Sequence, residues 1–280
     1  SFEFPSIYFL KGSKYSKAEE ITYFQLKLIE RNLTTKIKTA YYKVLAKQNQ
    51  LKIAEENLLI TEDFLKKSEI RQNVGEGTNL ERLTAKVQFS EAQNNLEISK
   101  NELKTAFAEL NYTLGFGNQT IDSVYSLQDS LHFVDYSLNT SQFNKIFEIN
   151  NPQIKIAEIN YDISNVEKSL AVSSYLPKIN LAYLSQTLDN KSGFHGFNVG
   201  VSVPLWFMFE QNGKIQEASA NQSISENILQ LTKNDISINL KNSITDYENN
   251  LRQVKLYLED ILPQSEEIFR TASKSYEVGE

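Results

Sequence analysis

Side chains able to do chemistry are sparse in this sequence. It has no cysteine, two histidines (His132 and His195) and one methionine, Met208. Thiolate nucleophiles, disulfide frameworks and thiolate metal sites are excluded. Neither a His-rich zinc site nor a Met-lined copper relay can be assembled from what remains. His132 falls in a linker and His195 in a hairpin turn, and both read as structural or solvated. Met208 stands beside Trp206, Phe207 and Phe209. That cluster reads as a membrane-interface aromatic belt or as core packing, not as a copper site. The many Ser, Asp and Glu residues form no triad, no paired-carboxylate constellation and no phosphate loop. The expectation is a protein without catalysis, cofactor or bound metal.

What does recur is a glycine–glutamate tip. Val74-Gly75-Glu76-Gly77 is echoed by Val278-Gly279-Glu280. Together with Glu69, Glu81 and Glu277, the carboxylates of Glu76 and Glu280 could form an electronegative entrance that attracts cations. The plainer reading is that surface turns carry charge. Gly75 and Gly279 supply the backbone freedom that such a turn needs.

Long helices must carry these tips. Ser13 to Gln72 contains no Gly or Pro, and sixty residues of helix would span about 90 Å. Within it Leu51, Ala54, Leu58, Thr61, Leu65 and Ser68 form a heptad seam. After the breaker-rich Asn73–Asn79, a second helix is expected from Asn79 to Leu114, capped by Thr78 or Asn79, with Glu81 in its first turn. Phe89, Ala92, Leu96, Ser99, Leu103, Ala106 and Leu110 form its seam, and Gly115 stops it. So short a turn makes the two helices antiparallel. A further helix runs from Gln153 to Ser174. A third long run extends from near Gly213 to Val278, interrupted only by Pro263, with a seam from Ile244 through Tyr247, Leu251, Val254, Leu258, Ile261 and Ile268 to Ser275. Between these helices, Leu176–Gln186 and Phe197–Val203 read as two strands joined through the turn cluster Asp189–Gly193. The second alternates apolar and small polar residues without error. Strands of about ten residues match the reach of a tilted transmembrane β-strand.

An internal repeat connects the halves. Phe2-Glu3-Phe4-Pro5 aligns with Val201-Ser202-Val203-Pro204, and both lead into a Gly-containing stretch, a long helix and a Val-Gly-Glu end. The expected division is residues 1–115 as a first repeat, 116–151 as a linker and 152–280 as a second repeat, the whole being part of a protein of roughly 400 residues. Glycine and proline together number only 15 of 280 residues, which argues against a loop-rich enzyme or β-sandwich. A net charge of −6 argues against a nucleic-acid binder. No apolar run approaches the ~18 to 20 residues of a membrane-spanning helix, and no signal peptide opens the chain. The fold class is mainly α with a small β part.

In this order the motifs resemble the TolC-like outer membrane factor family. The matching residues are Val74-Gly75-Glu76-Gly77-Thr78 with Leu80, Leu83 and Ala85, then Leu110 with Leu114-Gly115. Leu176–Leu181, Val201–Trp206, Ile215 and Ala218 match in the second half. Ser1–Pro5 is similar to the heavy-metal branch, the CzcC and CusC relatives. The resemblance implies a homotrimer in the bacterial outer membrane: an α-barrel in the periplasm and a twelve-strand β-barrel in lipid. It implies a passive exit duct of a tripartite efflux system exporting heavy-metal cations or drugs. Its partners would be a periplasmic adaptor (membrane fusion) protein and an inner-membrane RND pump. The adaptor would contact the tip residues Val74, Gly75, Glu76, Gly77, Val278, Gly279 and Glu280. The rival reading is a soluble coiled-coil scaffold or the periplasmic adaptor itself.

Overall fold

The computed structural model describes residues 2–116, 127–136, 147, 149–188, 191–203 and 207–278. The element order is α1 (Pro5–Asn73), α2 (Asn79–Thr113), α3 (Pro152–Ser173), β1 (Lys178–Leu188), β2 (Lys191–Ser202), α4 (Phe207–Leu256), a π-helical turn (Tyr257–Ile261) and α5 (Leu262–Val278). Long antiparallel helices and one β-hairpin are the fold class that the sequence implies. By compactness the chain forms two units, Ile29–Val134 and the combination of Ser1–Leu28 with Asp135–Glu280.

In the Ile29–Val134 unit, α1 turns back through the tip into α2. Ion pairs Lys43–Glu109 (2.6 Å) and Lys47–Glu102 (2.9 Å) bind the two helices in antiparallel register. Ala40, Val44, Leu103, Ala106, Phe107 and Leu110 make the core, with Tyr41, Leu51 and Leu127 packed on it. Every expected seam position of both helices is buried or half-buried. Ala85, Ala92 and Ser68 continue the contact toward the tip with small side chains. Small residues allow close approach while burying little apolar area each. Leu127–Tyr136 carries no helix or strand, and Tyr41 donates a hydrogen bond to Asp129 within it.

In the other unit, α3 lies between the start of α1 and α4. Lys14 pairs with Glu167 at 2.8 Å and Lys17 with Asp162 at 2.7 Å. On the α4 side Lys233 reaches Glu158 at 3.3 Å, and Gln222 bonds Asn165 and Lys168. Ile154, Ala157, Ile159, Leu229 and Ile236 are buried there. Asn151 caps α3 through the Gln153 N–H, with Pro152 at the first helical position.

Several boundaries differ from the sequence reading. α1 begins at Pro5, so Gly12 lies inside the helix rather than before it. α4 likewise begins at Phe207 and runs through Gly213. Proline fixes a helical φ and lacks an N–H that a first turn would leave unpaired. A single glycine then costs only about 1 kcal/mol. β2 begins at Lys191, six residues before Phe197, because backbone pairing continues through Gly196 to Phe194 and, past a register shift, to Lys191. Pro263 does not merely interrupt the last helix. It comes after a π turn in which Leu262 N–H donates to the Tyr257 carbonyl. A proline ring would clash with the carbonyl four residues back, and the widened turn relieves that. The sequence from Ser141 to Asn150 also reads as a short helix; that stretch and the Asp189–Asn190 part of the hairpin turn lie largely outside the described residues.

Candidate functional site: a helical tip and a two-faced hairpin

The tip is a glycine-terminated helix end fused to a capped helix start. Gly75 sits at φ +82, where side chains are strained. Gly75 N–H donates to Gln72 C=O at 3.1 Å, and Glu76 N–H to Arg71 C=O at 2.9 Å. This is the Schellman pattern. Gly77 is required for a different reason: a Cβ there would come within 3.0 Å of both Arg71 Cβ and the Gln72 nitrogen. Thr78 then accepts from Glu81 N–H at 3.1 Å as the N-cap. Asn79 Oδ1 accepts from Arg82 at 3.0 Å. Arg71 faces Glu81 at 4.0 Å, so part of the expected negative charge is neutralised by a residue that the sequence reading did not consider.

Val74, Glu76 and Leu80 are exposed around the turn, and Leu83 and Val87 extend an exposed apolar stripe along α2. The structure brings Val74, Gly75, Glu76 and Gly77 together at one tip. Val278 is the last residue of α5, while Gly279 and Glu280 lie outside the described residues.

The hairpin divides its residues by face. The ladder pairs Ile179 with Val201, Leu181 with Val199, Tyr183 with Phe197 and Ser185 with His195. With period two, these share one face, which is apolar apart from its turn-proximal end. Asn180 pairs with Gly200, Ala182 with Asn198 and Leu184 with Gly196 on the other, largely small or polar face. Leu181, Tyr183, Phe197, Val199 and Val201 are all exposed. His195 lies in β2 rather than in a turn, and its Nδ1 is 2.6 Å from the Tyr183 hydroxyl. Tyr183 stacks on His195 and tilts against Phe197. His132 Nε2 is 2.9 Å from Ser130 Oγ. Pro204, Leu205, Trp206 and the side chain of Met208 lie outside the described residues, and with them the proposed aromatic belt. Among the described residues no group of three or more His, Asp or Glu could hold a metal ion. No described helix is long and apolar enough to cross a membrane.

A third strand position completes the sheet edge. Phe2 bridges Ile179 antiparallel, on the edge opposite β2, with N–H to carbonyl distances of 2.6 and 3.0 Å. Phe2 and Val201, which the repeat aligns, thus flank the same residue. Sequence reasoning saw the alternation in β2 but not the equivalent face of β1, which was readable in Ile179, Leu181 and Tyr183.

Residues 26–115 match the family Outer membrane efflux protein. The match covers the helical hairpin with its tip. An efflux-protein family is not an enzyme family. Solved structures share the fold over nearly the whole chain. VceC, an outer membrane protein of Vibrio cholerae, superposes with a TM-score of 0.79 at 14% identity, covering 97% of this chain and 64% of that one. The outer-membrane channel OprN gives 0.75 at 18% identity, covering 95% and 61%. CusC, described for its folding and transmembrane channel formation, gives 0.69 at 18% identity, covering 93% and 63%. The chain has the TolC-like outer-membrane channel fold and spans less than two thirds of the length of these structures. CusC is no nearer in identity than OprN, so the heavy-metal branch is not singled out. No curated protein sequence matches the chain.

Proposed function

We propose that this chain is a large part of an outer-membrane exit duct of a tripartite efflux system. The observation that carries the reading is the hairpin with an apolar and a polar face, both in the open. A strand pair with these faces suits a wall between lipid and water. It cannot stand alone, because an open sheet edge in lipid leaves peptide groups unsatisfied. Two such hairpins per protomer, one from each copy of a tandem repeat (residues 1–115 and 152–280 about the linker 116–151), and three protomers would close twelve strands. The pairing of Phe2 with Ile179 supports a second strand pair beside the first.

The tip residues Val74, Gly75, Glu76 and Gly77, with their counterparts Val278, Gly279 and Glu280, are the docking surface for a periplasmic adaptor that couples the duct to an inner-membrane RND pump. The rigid turn and the exposed Val74 and Leu80 support this role. The cargo is a heavy-metal cation or a drug, driven by the pump while the duct stays passive. Full-length protein should fractionate with the outer membrane, require detergent for extraction and crosslink as a trimer. Recovery as a soluble monomer overturns the duct. Deleting the gene should raise sensitivity to zinc, cobalt, cadmium, copper or silver; unchanged metal tolerance with increased drug sensitivity assigns drugs instead.

A further inference from the structure

From Gln222 to Lys255, α4 is braced. Gln222 and Lys233 tie it to α3. Further along, two bonds tie it to the non-helical segment that ends at Tyr136. Tyr247 donates its hydroxyl to the Tyr136 carbonyl at 2.8 Å, and Lys255 Nζ pairs with Asp135 Oδ2 at 2.6 Å. The π turn begins two residues after Lys255. From Leu256 to Lys274 every residue is exposed, and no side chain of this stretch makes a hydrogen bond or ion pair to α1, α2, α3 or the hairpin among the described residues. The last brace and the change of helix type therefore fall at the same place.

The turn is itself a weak point. Leu262 N–H reaches back five residues to the Tyr257 carbonyl, and Pro263 has no N–H to give, so two successive rungs of the ladder are altered. The other long helix, α1, runs from Pro5 to Asn73 without such a turn. Lys255 stands between two carboxylates. The hydrogen bond to Asp135 raises its pKa most, and the Glu259 carboxylate inside the π turn adds to the rise; Tyr247 also faces it. We infer that the π turn is a joint in the long helix and that the Asp135–Lys255 ion pair is its latch, one that ionic strength loosens. While the pair holds, the helix is fixed up to the edge of the turn. When it parts, Lys255 is left to Glu259 alone, the turn opens more often and α5 pivots there. The pair is half exposed, so salt screens it. In the duct reading, on which only this consequence rests, Val278 lies about 32 Å beyond the joint, and the latch sets how freely that end moves.

The test is hydrogen exchange on full-length protein in detergent, comparing amides 257–266 with amides 229–245 of α4 as an internal reference. Asp135→Asn and Lys255→Gln should each speed exchange across the turn about two- to fivefold relative to the reference, the range of an exposed ion pair. Raising salt from about 0.01 M to about 1 M, which shortens the Debye length from about 30 to about 3 Å, should reproduce this in the unmodified protein and add little to either variant. In a Pro263→Ala background, where an ordinary turn can form, Asp135→Asn should have no effect. Unchanged exchange in both variants overturns the latch, as does an equal rise throughout α4. A response that persists with Pro263→Ala overturns the joint. Outer-membrane fractionation of the same protein scores the duct separately, because the exchange ratio does not depend on where the protein resides.

Discussion

Single residues fix the tip. Gly75 holds a positive φ with no atom close to where a Cβ would stand, so strain alone decides its replacement. Gly75→Ala should destabilise the α1–α2 hairpin by about 1 kcal/mol, read as a lower denaturation midpoint. Gly77→Ala meets backbone at 3.0 Å instead and should cost more. Thr78→Ala removes the cap and should cost about 1 kcal/mol, while Thr78→Ser keeps most of it. Such residues were legible because caps and glycine stops obey local rules. Thr78, Glu81 and Gly115 all take the roles expected of them, the last at φ +83 with Phe116 N–H bonded to Asn111 C=O. The Arg71–Glu81 contact was not legible, since it depends on what the turn brings near.

Elements were readable where one helix pitch runs unbroken. The α1 and α2 seams hold throughout. The seam drawn from Ile244 to Ser275 does not: Ile244, Tyr247 and Leu251 are half-buried, but Val254, Leu258 and Ile268 are exposed. From Leu256 to Lys274 every residue is exposed, so the stripe fails there for want of a packed neighbour among the described residues, not through a change of pitch alone. Pro263→Ala should restore an α turn and increase hydrogen-exchange protection of the Leu262–Gln264 amides. In α3, burial opposes ionisation of Glu158, but hydrogen bonds from Lys155 and Lys233 outweigh it and lower its pKa. A lowered folded-state pKa stabilises the fold above the unfolded value of about 4.3 and loses that contribution as pH falls through the folded value. Glu158→Gln should therefore flatten the acid side of the stability profile and leave it otherwise similar. On the hairpin, Val199→Arg should block outer-membrane incorporation, at a cost of about 2 to 4 kcal/mol if the site lies near the bilayer midplane. Asn198→Arg, on the opposite face, should be tolerated. Equal outcomes for the two would remove the two-solvent argument.

At the scale of the molecule, the described hairpin and helices have the fold of outer-membrane channels while spanning only part of their length. The order of elements was legible because the repeat places a strand, a proline and a long helix twice. The bridge at Phe2 adds something that composition could not. Both of its hydrogen bonds run between peptide groups, so the bridge itself asks of positions 2 and 179 only that neither be proline, although the apolar face still asks position 179 to stay apolar. The count of residues between Phe2 and Pro5 is not free. One inserted residue would present the neighbouring side chain to the wrong solvent and throw the helix off its foothold. Here chain length, more than residue identity, is what selection would be expected to guard.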